Sequence, residues 1–244
     1  MPIQQMFLGI PAPASGGGVD IESNGLIAYW NAISENVENQ TSNSKILDTS
    51  GSGNHLNSST TSMTWEASTG GRVNVPSGPE NHFEYDNTLT FNGGTAFTYF
   101  WGGIKTVASS SWWMMATNND GDNFIGITGT LHRLDSNNNI KGDLNVASAG
   151  YQENVVHCFY MTMETNGTIT WYHNGNNQGS VTFGDPGAGQ GWSNDSAVFK
   201  YINRYGGNSL QSSGRFCFSG FYDRALSSSE VSSNWSAHQT RLNM

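Results

Sequence analysis

The chain has 244 residues, a net charge of −9 at pH 7, only 12% charged residues and 30 glycines. This composition is typical of turn-rich β proteins, and the singly scattered basic residues exclude a positively charged surface for nucleic acid or anionic membranes. No stretch approaches the ~20 apolar residues that a membrane-spanning helix needs, so the sequence predicts one soluble all-β domain with a sizeable core.

Residues 1–23 have the composition of an extended arm. A Pro-Ala-Pro segment and three glycines predict a flexible joint that is not part of the sandwich. An apolar head precedes this joint, and its candidate docking residues are Ile3, Met6, Phe7, Leu8 and Ile10. The first basic residue is Lys45, so the positive region of a secretory signal is missing and export by that route is not expected.

Short apolar runs bounded by Gly, Asn and Ser recur along the rest of the chain. They include residues 89–91, 97–101, 112–115 and 155–163, and they predict the strands of a β-sandwich. Four tryptophans within strand-like runs are predicted to lie in the core: Trp30, Trp101, Trp112 and Trp171.

The clearest hairpin signal spans residues 166–176. Asn166-Gly167 and Asn174-Gly175 supply the positive φ angles that tight turns require. Alternation between these turns puts Ile169 and Trp171 on one strand face and Tyr172 on the other.

Two cysteines, Cys158 and Cys217, each lie in an apolar run. Their even number allows a disulfide, whereas synthesis in a reducing compartment favours two buried thiols. The sequence leaves both alternatives open.

Near the end of the chain, Ser227 and Glu230 form a Ser-x-x-Glu capping box. This motif predicts that a short helix begins within two residues of Ser228. We expect this helix to end before a polar tail over residues 238–244.

Three motifs resemble those of laminin G-like domains in the concanavalin A-like lectin and glucanase superfamily. They are an opening "GLIAYW" with the turn "LDTSGSGNH", the hairpin "WYHNG", and the closing "YDRALSSSEV". The resemblance implies a two-layer antiparallel β-sandwich of jelly-roll type over residues 24–237. It does not imply a function, because this fold carries lectins, hydrolases, lyases and inert interaction modules.

Enzymes that cleave polysaccharides on such a fold need two carboxylates on one strand face. The acids of residues 20–22 have a suitable spacing but lie in the arm, where a solvated linker is the simpler interpretation. Glu84 and Asp86 share a strand face with His82, which predicts a solvent-facing strand more strongly than an acid–base pair. We therefore expect a protein without enzymatic activity.

The best metal candidate is the string "NNDGDN", in which Asp120 and Asp122 could act as calcium ligands. The alternative is an ordinary Asp-Gly turn, since the string is short and lacks the closing Glu of an EF-hand. Asp48 is interpreted as a turn residue. The six histidines have no paired ligand spacing, so zinc is not expected.

Carbohydrate recognition uses exposed aromatic rings beside oxygen and amide groups. Trp192, with Asp185 and Asp195 nearby, and Tyr205 all lie in polar loops, which makes them candidate ligand-binding residues. Inward packing of these aromatic side chains is the alternative.

The first nine residues, "MPIQQMFLG", resemble the start of virion structural proteins of marine tailed bacteriophages. This resemblance implies a virion-surface protein, a capsid decoration or tail-fibre component, that contacts other virion proteins through its arm and forms a homo-oligomer on the particle. A lectin-like domain would then adhere to cell-surface glycans. The alternatives are a structural cement protein without ligand and, third, a glycan-degrading enzyme.

Overall fold

The computed structural model describes residues 20–67, 70–76, 78, 81–106, 113–118, 123–128, 131–136, 140–145, 151–184, 191–203 and 213–244. Strands dominate this part of the chain, and they form two antiparallel sheets that face each other. Within these residues no helix has both the length and the apolarity that crossing a membrane requires. The predicted two-layer β-sandwich with one C-terminal helix is confirmed.

Over the described residues, sheet A contains eight strands. In spatial order they are β15 (Asn176–Thr182), β14 (Thr168–His173), β13 (Val156–Met163), β8 (Phe97–Lys105), β17 (Gly214–Tyr222), β6 (Arg72–Val75) and β5 (Thr64–Glu66), with β1 (Leu26–Asn31) also paired to β17.

In the part of the chain that the structure describes, sheet B contains nine strands. In spatial order they are β12 (Ile140–Asn145), β11 (Leu131–Ser136), β10 (Phe124–Thr128), β9 (Trp113–Thr117), β16 (Ser196–Ile202), β7 (Phe83–Asn92), β4 (Leu56–Ser58), β3 (Lys45–Ile46) and β2 (Val37–Glu38).

The main hydrophobic core lies between the two sheets. Because side chains alternate along a strand, every second residue of each strand points into this layer. Trp30 stacks on Tyr85 with ring centroids 4.8 Å apart, and Phe221 packs edge-on against both rings. Trp101 and Trp171 are also buried, as predicted, while Trp112 lies outside the described residues.

A second hydrophobic cluster covers the outer face of sheet A. Its strands contribute Tyr29, Phe100 and Tyr160, and the C-terminal helix α1 (Ser228–Leu242) contributes Val231 and Trp235. The central strands β8, β13 and β17 are therefore buried on both faces, which explains their uninterrupted apolar and aromatic sequences.

Helix α1 begins where the capping box predicts. The Ser227 side chain accepts a hydrogen bond from the Glu230 amide, and the Glu230 carboxylate accepts one from the Ser227 amide. The predicted tail is wrong, however. The helix continues to Leu242 and buries both His238 and Leu242, because their side chains lie on the same face as Val231 and Trp235.

The arm also ends earlier than residue 23, the end that the sequence predicts. The Glu22 amide donates to Asn234 Oδ1 at 2.8 Å, and the Glu22 carbonyl accepts from the Tyr222 hydroxyl at 2.8 Å. Ile21 packs against the cluster under helix α1. Residues 21–23 thus belong to the folded domain, whereas the five candidate docking residues lie outside the described residues.

The local turn predictions are confirmed. Asn174 and Gly175 both have positive φ angles, of 48° and 75°, and connect β14 to β15. The Asp48 carboxylate accepts backbone hydrogen bonds from Tyr29, Ser50 and Asn54, so it shapes its own loop.

Cys158 and Cys217 are free, buried thiols. They lie on β13 and β17, which flank β8 on opposite sides. Two strand spacings separate their backbones by roughly 10 Å, beyond the reach of a disulfide. Burial raises the pKa of the Cys217 thiol to about 11 and that of Cys158 well above its usual value.

Candidate functional site

The outer faces of the two sheets have opposite character. Helix α1 and the second hydrophobic cluster cover the outer face of sheet A. In the part of the chain that the structure describes, neither hydrophobic cluster includes the outward residues Tyr201 and Phe124 of sheet B. The outer face of sheet B is therefore the candidate binding surface.

Strand register places a row of side chains across this surface. Glu84 on β7 pairs with Tyr201 on β16, Tyr201 with Thr117 on β9, Thr117 with Phe124 on β10, and Phe124 with Asp135 on β11. Residues that pair across strands project to the same face of a sheet. The row therefore alternates oxygen-bearing and aromatic side chains across five strands.

The two ends of the row differ in exposure. Glu84 is 42% exposed and Asp86 is also exposed, whereas Tyr201, Phe124 and Asp135 are buried. Direct contact with a ligand in solution is thus available at the β7 end.

At the β7 end the carboxylates have defined partners. Lys200 Nζ lies 2.8 Å from Glu84 Oε1, and Asn57 Nδ2 donates to Asp86 Oδ1 at 2.7 Å. The Glu84 carboxylate raises the pKa of Lys200, so this ammonium stays charged at neutral pH. Phe83 and Tyr85 point into the core on the opposite strand face, as the alternation predicts.

At the β11 end an arginine is held between two acids. Arg133 Nε and Nη2 donate to the two oxygens of Asp143 at 2.7 Å each, and Arg133 Nη1 lies 3.9 Å from Asp135 Oδ2. This bidentate geometry fixes the guanidinium plane. The charged groups at the β11 end are thus paired with one another.

A glycosidic general acid needs a raised pKa. Two acids in the described part of the chain have lowered pKa values instead. Arg215 and Arg72 lower the pKa of the Glu66 carboxyl against the effect of burial, and Arg224 lowers that of Glu230 to about 2.

The expected exposure of Trp192 is wrong. Its side chain is only 1% exposed, and its ring packs against Phe97 and Phe183 with centroids 5.7 Å away in both cases. The indole nitrogen donates to the Thr95 carbonyl at 2.6 Å. A 3-10 turn at Trp192–Asn194 directs the ring between the sheets, so Trp192 anchors its loop from within.

The remaining predicted ligand-binding residues are not gathered into a described site. Asp195 is buried beside Trp192 and accepts a hydrogen bond from the Ser196 amide at 2.8 Å. Asp185, Tyr205 and the two candidate calcium ligands, Asp120 and Asp122, lie outside the described residues. Among the residues that the structure describes, no group of three or more His, Cys, Asp or Glu is arranged to hold a metal ion.

Sequence reasoning missed a cluster of histidines. His132, His157 and His173 come from strands of both sheets and surround Tyr151. Their spacing along the chain carries no motif. The only signal is their strand parity, since each shares the inward face with a core residue of its own strand.

Comparison by sequence finds no match, either among family models or among curated proteins. The laminin G-like resemblance therefore stays a prediction. Comparison by structure does find similar proteins.

The binding domain of Paraclostridial Mosquitocidal Protein 1 is similar over 87% of this chain and 52% of its own length, with a TM-score of 0.62 and 16% identity. The binding domain of Botulinum Neurotoxin DC in complex with SialylT covers 89% of this chain and 52% of its own, with a TM-score of 0.60 and 14% identity. Trypanosoma rangeli sialidase in complex with the inhibitor DANA covers 92% and 34%, with a TM-score of 0.57 and 14% identity.

The chain thus spans about half the length of the two binding domains and a third of the sialidase chain. Identities of this size show a shared β-sandwich fold and nothing finer.

Proposed function

We propose that this chain is a non-enzymatic, lectin-like domain that binds glycans through the outer face of sheet B. The observation that carries the proposal is the contrast between the two outer faces. One is sealed by helix α1, and the other presents the carboxylates of Glu84 and Asp86 to solvent at its β7 end.

The solved neighbours support this proposal at the level of the class of protein. They are mostly binding domains, and one of them was solved in complex with SialylT. Sugar hydroxyls pair well with fixed carboxylate and amide groups, which are the groups at Glu84, Asp86 and Asn57.

A glycan array tests the proposal. The double change Glu84→Gln and Asp86→Ala should weaken glycan binding about tenfold or more, equivalent to ~1.4 kcal/mol, without lowering the melting temperature. Asp223→Asn is a matched control, because Asp223 is exposed but follows β17 of the opposite sheet. Absence of any glycan signal from the unmodified protein, with and without calcium, would overturn the proposal.

A structural cement protein without ligand is the second candidate. The burial of Tyr201 and Phe124 favours it, because these two rings of the described outer face are then no exposed aromatic platform. A glycan-degrading enzyme is the third. Polysaccharide cleavage that disappears in Glu84→Gln would establish it in place of the binding function.

We also propose that the arm attaches the domain to a tailed-phage particle. The resemblance of residues 1–9 to virion proteins supports this assignment, together with the apolar head. Deleting residues 1–19 should leave a folded domain, since the described contacts with helix α1 begin with residues 21 and 22. The same deletion should abolish incorporation into the particle, and a truncated chain that still assembles would refute the attachment.

A further inference from the structure

Three histidines join the two sheets at one side of the sandwich. His132 lies on β11 of sheet B, and His157 and His173 lie on β13 and β14 of sheet A. The Tyr151 ring stands among them, with centroid distances of 4.9 Å to His173, 5.6 Å to His157 and 5.9 Å to His132. We call these three histidines and Tyr151 the histidine cluster.

The hydrogen bonds of the cluster fix where its protons are. His157 Nε2 lies 2.8 Å from the Gln152 carbonyl oxygen, which can only accept, so Nε2 carries a proton. In a neutral ring the other nitrogen, Nδ1, is then an acceptor. His173 Nε2, 2.8 Å away, must therefore donate to it.

This pair has room for one additional proton at most. If His157 becomes an imidazolium, His173 can still accept from it by moving its own proton to Nδ1. If both rings are charged, both facing nitrogens are donors and the hydrogen bond is lost. Two like charges then face each other at 2.8 Å, one on the buried His157 and one on the half-buried His173.

The surroundings disfavour charge further. His132 is fully buried and contacts Trp171 and Phe159 edge-on, and its Nε2 contacts the Tyr151 hydroxyl. The charge of Lys105, at the end of β8, also acts against protonation of His157. Glu153 lies near Lys105 and partly offsets that charge.

Burial and mutual repulsion lower the pKa of His132 and of His173 to about 4, and burial lowers that of His157. An exposed histidine has a pKa near 6.5. Between these values the rings are neutral when enclosed and protonated when exposed, so acid favours whichever state exposes them.

The cluster lies on the side where the sheets close on each other. Their edge strands there are β12 and β15. Gly142 on β12 packs so closely on Ile169 of β14 that a Cβ at position 142 would lie 2.1 Å from Ile169 Cδ1. Gly179 on β15 faces Leu144. Apolar contacts of this kind pack the two edges against each other beside the histidine cluster.

We propose that the histidine cluster is an acid-sensitive latch, whose protonation releases β13–β15 of sheet A from β11–β12 of sheet B while the rest of the sandwich stays folded. The chain would then have two states, closed at neutral pH and open along one side in acid.

Native-state hydrogen exchange, expressed as protection factors between pH 7.5 and pH 5, tests this proposal. Below pH 6.5 the opening constant should rise about tenfold per pH unit for each proton taken up. We expect at least two protons, and hence a loss of protection in β13 and β14 of 100-fold or more per pH unit, with β7 better protected than β14 at every pH because its amides are exposed only by global unfolding.

Two variants locate the effect. His173→Gln and His132→Gln each remove one titrating ring. In each variant the pH dependence of the opening constant should correspond to about one proton fewer than in the unmodified chain. His82→Gln, directly before β7, is the matched control and should leave the pH dependence of the opening constant unchanged. Equal protection of β7 and β14 at each pH, meaning one global unfolding, would overturn the proposal, as would a pH dependence in both cluster variants equal to that of the unmodified chain. If neither variant folds, the comparison of β7 with β14 in the unmodified chain still decides.

Discussion

The outer faces of sheet A and sheet B show how one architecture presents two different surfaces. Strands β8, β13 and β17 carry apolar residues on both faces because helix α1 covers the face that does not point into the core. Strand β7 alternates at its start, with buried Phe83 and Tyr85 next to half-buried Glu84 and exposed Asp86. The difference shows how strand sequence reports covering in this fold. A strand with apolar and aromatic residues at every position has its outer face covered, and a strand in which apolar and polar residues alternate has its outer face uncovered.

The largest effect should come from removing a helix side chain that seals sheet A. Trp235 is 7% exposed and packs against the Asn174-Gly175 turn, where a Cβ on Gly175 would lie 2.8 Å from Trp235 Cδ1. Trp235→Ala should cost about 3 to 5 kcal/mol in the free energy of unfolding, measured by denaturant titration. Val198→Ala on the outer face of sheet B is the control and should cost far less; equal costs would contradict the assignment of covered and uncovered faces.

Acid should weaken the covered face through His238. This ring is fully buried, stacks on Phe218 at 3.6 Å and lies near Arg241, and burial with that positive charge lowers its pKa well below the usual value. The unfolded chain binds a proton near pH 6.5 and the folded chain does not, so stability falls as pH decreases below 6.5, by about 1.4 kcal/mol per unit.

The His238→Gln variant should take up one proton fewer than the unmodified chain when it unfolds between pH 6.5 and 5. Its unfolding free energy should therefore depend less steeply on pH in this range. The measurement is denaturant unfolding at several pH values. A variant with the wild-type slope would show that His238 does not couple to acid, whatever its effect at pH 7.

The helix cap tests the same face more gently. Ser227→Ala removes the hydroxyl that accepts from the Glu230 amide and should cost about 1 kcal/mol, since one amide at the helix start loses its partner. Ser227→Asn keeps an acceptor at this position and should restore most of the loss. Thermal unfolding of the three proteins provides the comparison, and equal destabilisation by both substitutions would argue against capping.

The smallest effect is expected on the outer face of sheet B. Glu84→Gln breaks an ion pair with Lys200 that is largely in solvent, and Asp86→Asn changes an exposed carboxyl. Each should change the unfolding free energy by about 0.5 kcal/mol or less, as measured by chemical denaturation. A loss of several kcal/mol from either substitution would mean that this face is covered at the β7 end.

Local signals in the sequence determined much of the fold. The Asn-Gly dipeptide at residues 174–175 specified its turn through positive φ, the capping box specified the start of α1, and strand parity placed Trp171 inward and Tyr172 outward. Each of these depends on residues close together in the chain, so the sequence contains the whole interaction.

The candidate site could be predicted only in part. The interpretation of Glu84 and Asp86 as a solvent-facing strand followed from parity, but the partner of Glu84 is Lys200, 116 positions along the chain. The direction of the Trp192 side chain was not predictable. The polar sequence of its loop is compatible both with a ring that points outward and with a ring that points between the sheets.

What the tertiary structure alone decided is which distant groups meet. The sequence determined an all-β sandwich with a capped helix, because turn, cap and alternation are local. Sheet order brought His132, His157 and His173 together, placed the two cysteines on either side of β8, and laid the end of the helix over sheet A. Which strands lie next to each other in space is decided by the packing of both sheets around one core, and no short segment of the chain contains that constraint.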